Sequence, residues 1–545
     1  MRDVRDHPLL RNPLEGSMSE FDIVINGGDV VDGTGAPMRR LNVGIAGGRI
    51  RELSGDTLTG ARSIEATGQV VAPGFIDLHS HADYTLESTP QAATQVHQGV
   101  TTLVTGNCGH SPFPFEDLDL IRRASNFDDR ELSWDWTDAT GFRKAIDGVM
   151  PAVNVGLQIG HNAVRLAVLG DEDRQPTEAE LNQMCGLIKD AAIEGAVGFS
   201  TGLIYAPGVF ASADEVRALV ATSASAGLLY STHIRNETSA LTDAVREAIE
   251  TAEYSGARLE ISHLKAMGPE NHGSVVRALT LIDEARERGV DVTADVYPYT
   301  ASSTSLVSRL SAWAVDGGKD ALLARLSDAT TRDRIATELR ARFGRDIDPE
   351  GLVIADLPEG PYSGSIGVSA AEIGRAEGTD PAEAALRVLE KHDANVLIVN
   401  HAMCEEDVST VLRHPQVSVA SDGWTMTEQG AGQPHPRSFG TFARVLGRYV
   451  RERGILSLED AVRKMTSLPA SRIQMTNRGV LRAGKVADIA VFDPGTIIDN
   501  STFEKPWALA TGCSTVLVNG VPTLLDGSLT GWTGGQVLSA PPDTP

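Results

Sequence analysis

The chain of 545 residues carries 48 basic and 73 acidic side chains, a formal net charge of -25, with 41% hydrophobic and 22% charged residues. That balance excludes global disorder, and no apolar run is long enough to suggest a membrane span. The acidic excess argues against a nucleic-acid or anionic-membrane surface and leaves a small molecule as the expected partner, with homo-oligomerisation left open. Four scattered cysteines, Cys108, Cys185, Cys404 and Cys513, do not form a disulfide framework, so a reducing cytoplasmic setting is expected.

Residues 1–17, charged and proline-containing, are expected to be a disordered leader outside the fold. From Phe21 onward, short alternating stretches separated by Gly27-Gly28 and Gly47-Gly48 predict an antiparallel sheet with glycine turns. A matching pattern returns at Ala487–Phe492 and Thr515–Asn519. A few strands from each end suffice for one sandwich, so residues 18–72 and 475–545 are expected to form a β-sandwich satellite domain together.

Between these ends, apolar strand patterns alternate with amphipathic helical ones. The strand patterns fall at Val70–Ile76, Thr101–Thr105, Val153–Ile159, Ala196–Ser200, Leu228–Thr232, Arg258–Ser262, Val290–Val296, Val396–Asn400 and Val417–Ser421. Helical patterns such as Glu178–Glu194, Ala213–Gly227, Leu241–Gly256 and Val275–Gly289 separate many of them. Repeated βα units in this number predict an α/β fold, a TIM-like (β/α)8 barrel over residues 73–304 and 394–474. Nine candidates are one too many, and Val396–Asn400 fits least. The charge-rich stretch 305–393 reads as an insertion on the barrel's C-terminal face, able to act as a lid.

In such a barrel, side chains at the C-terminal strand ends converge on one mouth. His79 and His81 end the first strand, where alternation points both imidazoles to the same side. Cys108, His233, His263 and Asp422 each follow a further strand. A lone His or Cys is usually a packing residue and Asp-Gly an ordinary turn, but metal-competent groups at five strand ends together point to a divalent ion. Among so many imidazoles, Cys108 suits a metal ligand better than a nucleophile. His97, His392 and His414 lie in helix or turn settings and are taken as structural. His161, His110 and His401 also follow strands and are set aside.

The motifs resemble the N-acyl-D-amino-acid deacylase (D-aminoacylase) family of the amidohydrolase superfamily. The resemblance rests on Pro73-Gly-Phe-Ile-Asp-Leu-His-Ser-His81, Gly106-Asn-Cys-Gly109, Thr232-His-Ile-Arg-Asn-Glu237, Ile261-Ser-His-Leu-Lys265, Asp295-Val-Tyr-Pro-Tyr-Thr300, Ser421-Asp-Gly423 and His435-Pro-Arg-Ser438. It implies a zinc-dependent hydrolase that splits N-acyl-D-amino acids into a carboxylate and a free D-amino acid. Cys108, His233 and His263 would hold one tight Zn2+. His79 and His81 would line a second, weaker position, Asp422 would be general base and then acid, and Lys265, Tyr297, Ser303 and Arg437 would surround the carboxylate of an anionic substrate. The alternatives are a cyclic-amide hydrolase of the same superfamily, of dihydropyrimidinase or dihydroorotase type, and a non-catalytic relative that keeps the barrel for assembly.

Overall fold

Short β-branched runs buried on both faces read as parallel strands covered by helices, and the computed structural model, which describes residues 20–120 and 132–539, folds them that way. The predicted leader lies outside the described residues. Eight parallel strands succeed one another in chain order: β1 Phe75–Asp77, β2 Val100–Thr105, β3 Asn154–Gly160, β4 Gly198–Gly202, β5 Leu229–His233, β6 Arg258–Ile261, β7 Val292–Val296 and β8 Val417–Val419. A parallel bridge between Ser80 and Gly423 brings the first and last strands together, so the sheet closes into the predicted barrel.

The helices between strands form because their apolar residues recur at helical spacing. In Leu241–Ser255 the buried positions Leu241, Ala244, Val245, Ala248, Ile249 and Ala252 make one stripe against the barrel. Gly256 ends that helix at a φ of 69°, where a side chain would be strained. The helix Glu178–Ile193 starts at a reciprocal cap between Thr177 and Glu180.

The ninth candidate strand lies outside the barrel. Leu397–Asn400 is the centre of a separate antiparallel sheet, flanked by Ser302–Ser305 and Leu352–Asp356. This sheet and the helices Gly318–Ser327, Ala329–Arg340, Ala370–Glu377 and Pro381–Lys391 share their own apolar core, around Leu322, Ile335, Leu352, Leu386 and Ile398. The excursion leaves after β7 and returns before β8, and its first strand starts at Ser302, a few residues ahead of the stretch that sequence pattern singles out.

Strands from both ends of the chain meet in a second pair of sheets. Ile489–Phe492 pairs antiparallel with Val70–Pro73, whose other neighbour is Asp29–Val30. Ile23, Val43 and Ile50 of one sheet pack with Val71, Ile489 and Leu517 of the other. The final described strand, Val537–Leu538, leaves this pair and adds in parallel to β3 of the barrel. None of the described helices is long and apolar enough to cross a membrane.

Candidate active site

The run that sequence pattern reads as one strand, Val70–Ile76, is divided between two sheets. Val70–Pro73 belongs to the mixed-end sheet and Phe75–Asp77 to the barrel. His79 and His81 therefore lie just beyond β1 rather than on it. Backbone pairing continues past the strand end: His81 N–H donates to Gly423 O and Asp422 N–H to His79 O. Asp77 fastens the same seam, its Oδ1 accepting from Ser421 N–H at 2.9 Å and its other oxygen accepting from the Ser421 hydroxyl. Both imidazoles consequently reach one carboxylate oxygen, Asp422 Oδ1, at 3.3 Å from His79 Nε2 and 3.1 Å from His81 Nε2.

Neighbouring strands bring the remaining groups to the same level. Gly202 of β4 pairs with His233 of β5, Thr232 with Ile261, and Ile261 with Ala294, so His233 and His263 emerge side by side. Cys108 enters from the turn after β2. Its Sγ is 3.3 Å from His79 Nε2, 3.4 Å from His263 Nε2 and 3.7 Å from His233 Nδ1. Cys108, His263 and Asp422 have φ values of 55°, 37° and 52°, the left-handed region that non-glycine residues seldom occupy. Such conformations at three converging side chains fit a backbone bent to serve a site.

The donor set fits a divalent metal on chemical grounds. One donor atom each from Cys108, His233 and His263 lies within 4.8 Å of the others, and so do those of His79, His81, Cys108 and Asp422, with every residue buried. Thiolate and imidazole together suit zinc, and one thiol shared by two groups suits one ion with room for a second. Burial alone would push the Cys108 thiol up, but the imidazoles of His79 and His263 hold it well below its usual range, in the thiolate form that ligation requires. Burial would likewise raise the Asp422 carboxyl. The Arg437 guanidinium, 2.6 Å from Oδ2, and His79 hold it well below the usual carboxylate range instead.

A cavity of about 610 Å³, part of it open to solvent, is lined by His81, Cys108, His233, His263, Lys265, Tyr297, Ser303, Asp422 and Arg437. Every site residue expected from sequence except His79 is in that lining, and His79 stands directly behind it against Cys108 and Asp422. Ser303 reaches Arg437 through its backbone carbonyl, which accepts from Nη2 at 3.1 Å. The Tyr297 hydroxyl is buried and has no hydrogen-bond partner among the described residues. Arg437 opens its helix, Arg437–Arg444, and its own N–H donates to His435 Nδ1.

Several residues of the site escape sequence reasoning. His110, set aside on its sequence, is part of the wall, with its ring 5.1 Å from that of Tyr205. Burial lowers its pKa to about 4, so it stands there neutral. Glu237 and Asp295 are buried carboxylates behind the imidazoles, and both sit inside motifs noticed for other members. Arg309, on the excursion, lines the cavity and carries no sequence signal at all. His161 and His401 are outside the lining: His161 binds Glu215 at 2.8 Å, and His401 packs on Phe503.

Comparison with known proteins agrees with this geometry. Residues 62–524 match the model of the amidohydrolase family. An N-acyl-D-glutamate deacylase of Alcaligenes xylosoxydans xylosoxydans is 36% identical over 92% of this chain and 93% of its own length. A D-aminoacylase of the same organism is 34% identical over 95% and 98%. The crystal structure of an N-acyl-D-glutamate deacylase from Bordetella bronchiseptica, complexed with zinc and a phosphonate mimic of the tetrahedral intermediate, superposes with a TM-score of 0.80 at 35% identity, covering 95% of this chain and 99% of that one. The chain belongs to the amidohydrolase family, in its N-acyl-D-amino-acid deacylase branch.

Proposed function

We propose that this protein hydrolyses N-acyl-D-amino acids to a carboxylate and a free D-amino acid, with an acidic amino acid as the preferred substrate. The observation that carries the reaction is one cavity holding a thiolate-imidazole donor set, an ionised carboxylate and three cationic side chains. Cys108, His233 and His263 would hold a zinc ion, with His79 and His81 beside a second position. When bound, zinc supplies Lewis acidity toward water and toward the amide carbonyl.

The other steps fall to the chain's own residues. Arg437 occupies Asp422 Oδ2, which leaves Oδ1 facing the imidazoles as the proton acceptor. Asp422 takes the proton of the attacking water and returns it to the leaving nitrogen as the C–N bond breaks, so the proton gained in the first step is spent in the second. The partnerless Tyr297 hydroxyl and the Ser303 side of the wall offer hydrogen bonds to the substrate carboxylate.

Arg309 supports the acidic preference. It is 4% exposed, its guanidinium donates to Ser308 Oγ at 3.2 and 3.1 Å, and none of the ion pairs among the described residues includes it. Lys265 and Arg437, by contrast, are already paired with Glu237 and Asp422. A buried cation without a direct ion-pair contact is costly, and a substrate side-chain carboxylate would offset that cost. The deacylase relatives named for D-glutamate agree with this reading. Four free thiols support a reducing compartment.

The test is turnover of N-acetyl-D-glutamate, N-acetyl-L-glutamate, N-acetyl-D-methionine and a hydantoin by the zinc-loaded protein. N-acetyl-D-glutamate is expected to be the best of the four. Arg309→Met should cost about 30- to 5000-fold in kcat/KM on it, the range for truncating one partner of a buried charge pair, with N-acetyl-D-methionine little affected. Turnover of the hydantoin alone would overturn the reaction, and a preference for the methionine derivative would overturn the acidic substrate.

A further inference from the structure

Glu237 follows β5 by four residues and is 4% exposed. Its Oε1 lies 3.1 Å from His263 Nδ1 and its Oε2 3.4 Å from His233 Nε2. Each ring turns its opposite nitrogen to Cys108: Nε2 of His263 at 3.4 Å and Nδ1 of His233 at 3.7 Å. One carboxylate therefore stands behind both histidines. A carboxylate favours the N–H form of the ring nitrogen beside it, which leaves the lone pair on the nitrogen facing Cys108, as a metal requires.

Lys265 opposes this. Its Nζ lies 2.8 Å from the same His263 Nδ1 and 3.0 Å from the His263 carbonyl. An ammonium has hydrogens to donate and no lone pair, so alone it would make Nδ1 the acceptor and place the ring hydrogen on Nε2, against the thiol. Glu237 Oε1 sits 2.5 Å from that Nζ and engages the ammonium while lying 3.1 Å from the ring nitrogen.

We propose that Glu237 is a positioning residue that sets the tautomers of His233 and His263, and that its main task is to prevent Lys265 from holding His263 in the form that cannot bind metal. The proposal rests on the metal-binding reading of Cys108, His233 and His263 but on no substrate.

The experiment is equilibrium zinc binding to the full chain, read by competition with a chromophoric chelator, together with the thiolate-to-metal absorption of the cobalt-loaded protein. E237Q is expected to bind the tightly held ion about 10- to 100-fold more weakly, the usual cost of losing an outer partner of a ligand, with a changed cobalt spectrum. Its metal-free melting temperature should fall because the buried Lys265 loses its counter-ion, and the metal-loaded one should fall further. The double variant E237Q/K265M should recover at least part of the lost affinity, because the competing donor is gone. Unchanged affinity and spectrum in E237Q would overturn the proposal. So would a double variant no better than E237Q, or a metal-free melting temperature that falls as far as the metal-loaded one. If E237Q does not fold, E237D, with the charge kept and the reach shortened, carries the same measurements. Failure of the wild type itself to bind zinc would refute the metal reading instead.

Discussion

Asp422 has one oxygen on Arg437 and the other before two imidazoles, so it is oriented before any substrate arrives. Replacing it by Asn keeps the shape and removes the proposed proton acceptor. Asp422→Asn should lower kcat by about 10²- to 10⁴-fold, the usual contribution of a positioned acid-base group, while the ion proposed at Cys108, His233 and His263 stays bound. Steady-state kinetics beside metal analysis checks both halves. At this scale the sequence is legible at many strand ends, which in a barrel converge on one mouth. His161 and His401 also follow strands yet lie outside the cavity lining, while His110 belongs to it. The strand-end logic brings Cys108, His233, His263 and Asp422 to one cavity. It also applied to Asp295, the fourth residue of β7, which was overlooked because a carboxylate behind a ligand resembles one that merely ends a strand. Glu237 and Arg309 depend on which groups fold against them, and no spacing reveals that.

Among the elements, the helix after β3 is tied to the helix after β4 by a buried group of three. His161 and Arg165 of the first meet Glu215 of the second, at 2.8 and 2.5 Å. Burial holds the His161 pKa below its ordinary value, whereas Glu215, raised by burial, is held below its own by His161 and Arg165. Both shifts act in the same direction. As pH falls through about 6.5, the unfolded chain takes up a proton on His161 that the folded one refuses, and stability declines. The contribution of Glu215 is complete above about 4.5 and is lost as pH falls through its folded value. Glu215→Gln should therefore cost about 3–5 kcal/mol at pH 7, the range for breaking a buried ion pair, with the gap to wild type narrowing below pH 4.5. Melting curves from pH 7 to 4 read this. Element types were accessible in the sequence through periodicity, as the stripe of Leu241–Ser255 illustrates. Partnership was not: Leu397–Asn400 fits least among nine barrel candidates, but only the structure shows which antiparallel neighbours it joins.

For the whole molecule, metal and fold are linked through the barrel mouth. Across its two groups the donors come from the ends of β1, β2, β5 and β6 and from the turn after β8, so an ion in the Cys108, His233 and His263 group would cross-link β2, β5 and β6. A ligand that binds only the folded state stabilises it by mass action, about 2.7 kcal/mol at 100 times its Kd. Zinc should raise the melting temperature of the chelator-treated protein in a concentration-dependent way. Cys108→Ala, which removes the donor common to both groups, should abolish that rise. A zinc-independent melting temperature in the wild type would contradict it.

The excursion between β7 and β8 bears on how such an enzyme can change. It brings Ser302–Ser305 and Arg309 to the cavity, yet it is held together by an apolar core of its own and supplies none of the metal donors. Substitutions there would reshape the cavity wall while the candidate metal donors stay intact. Substrate range is free to drift on a chemistry that does not.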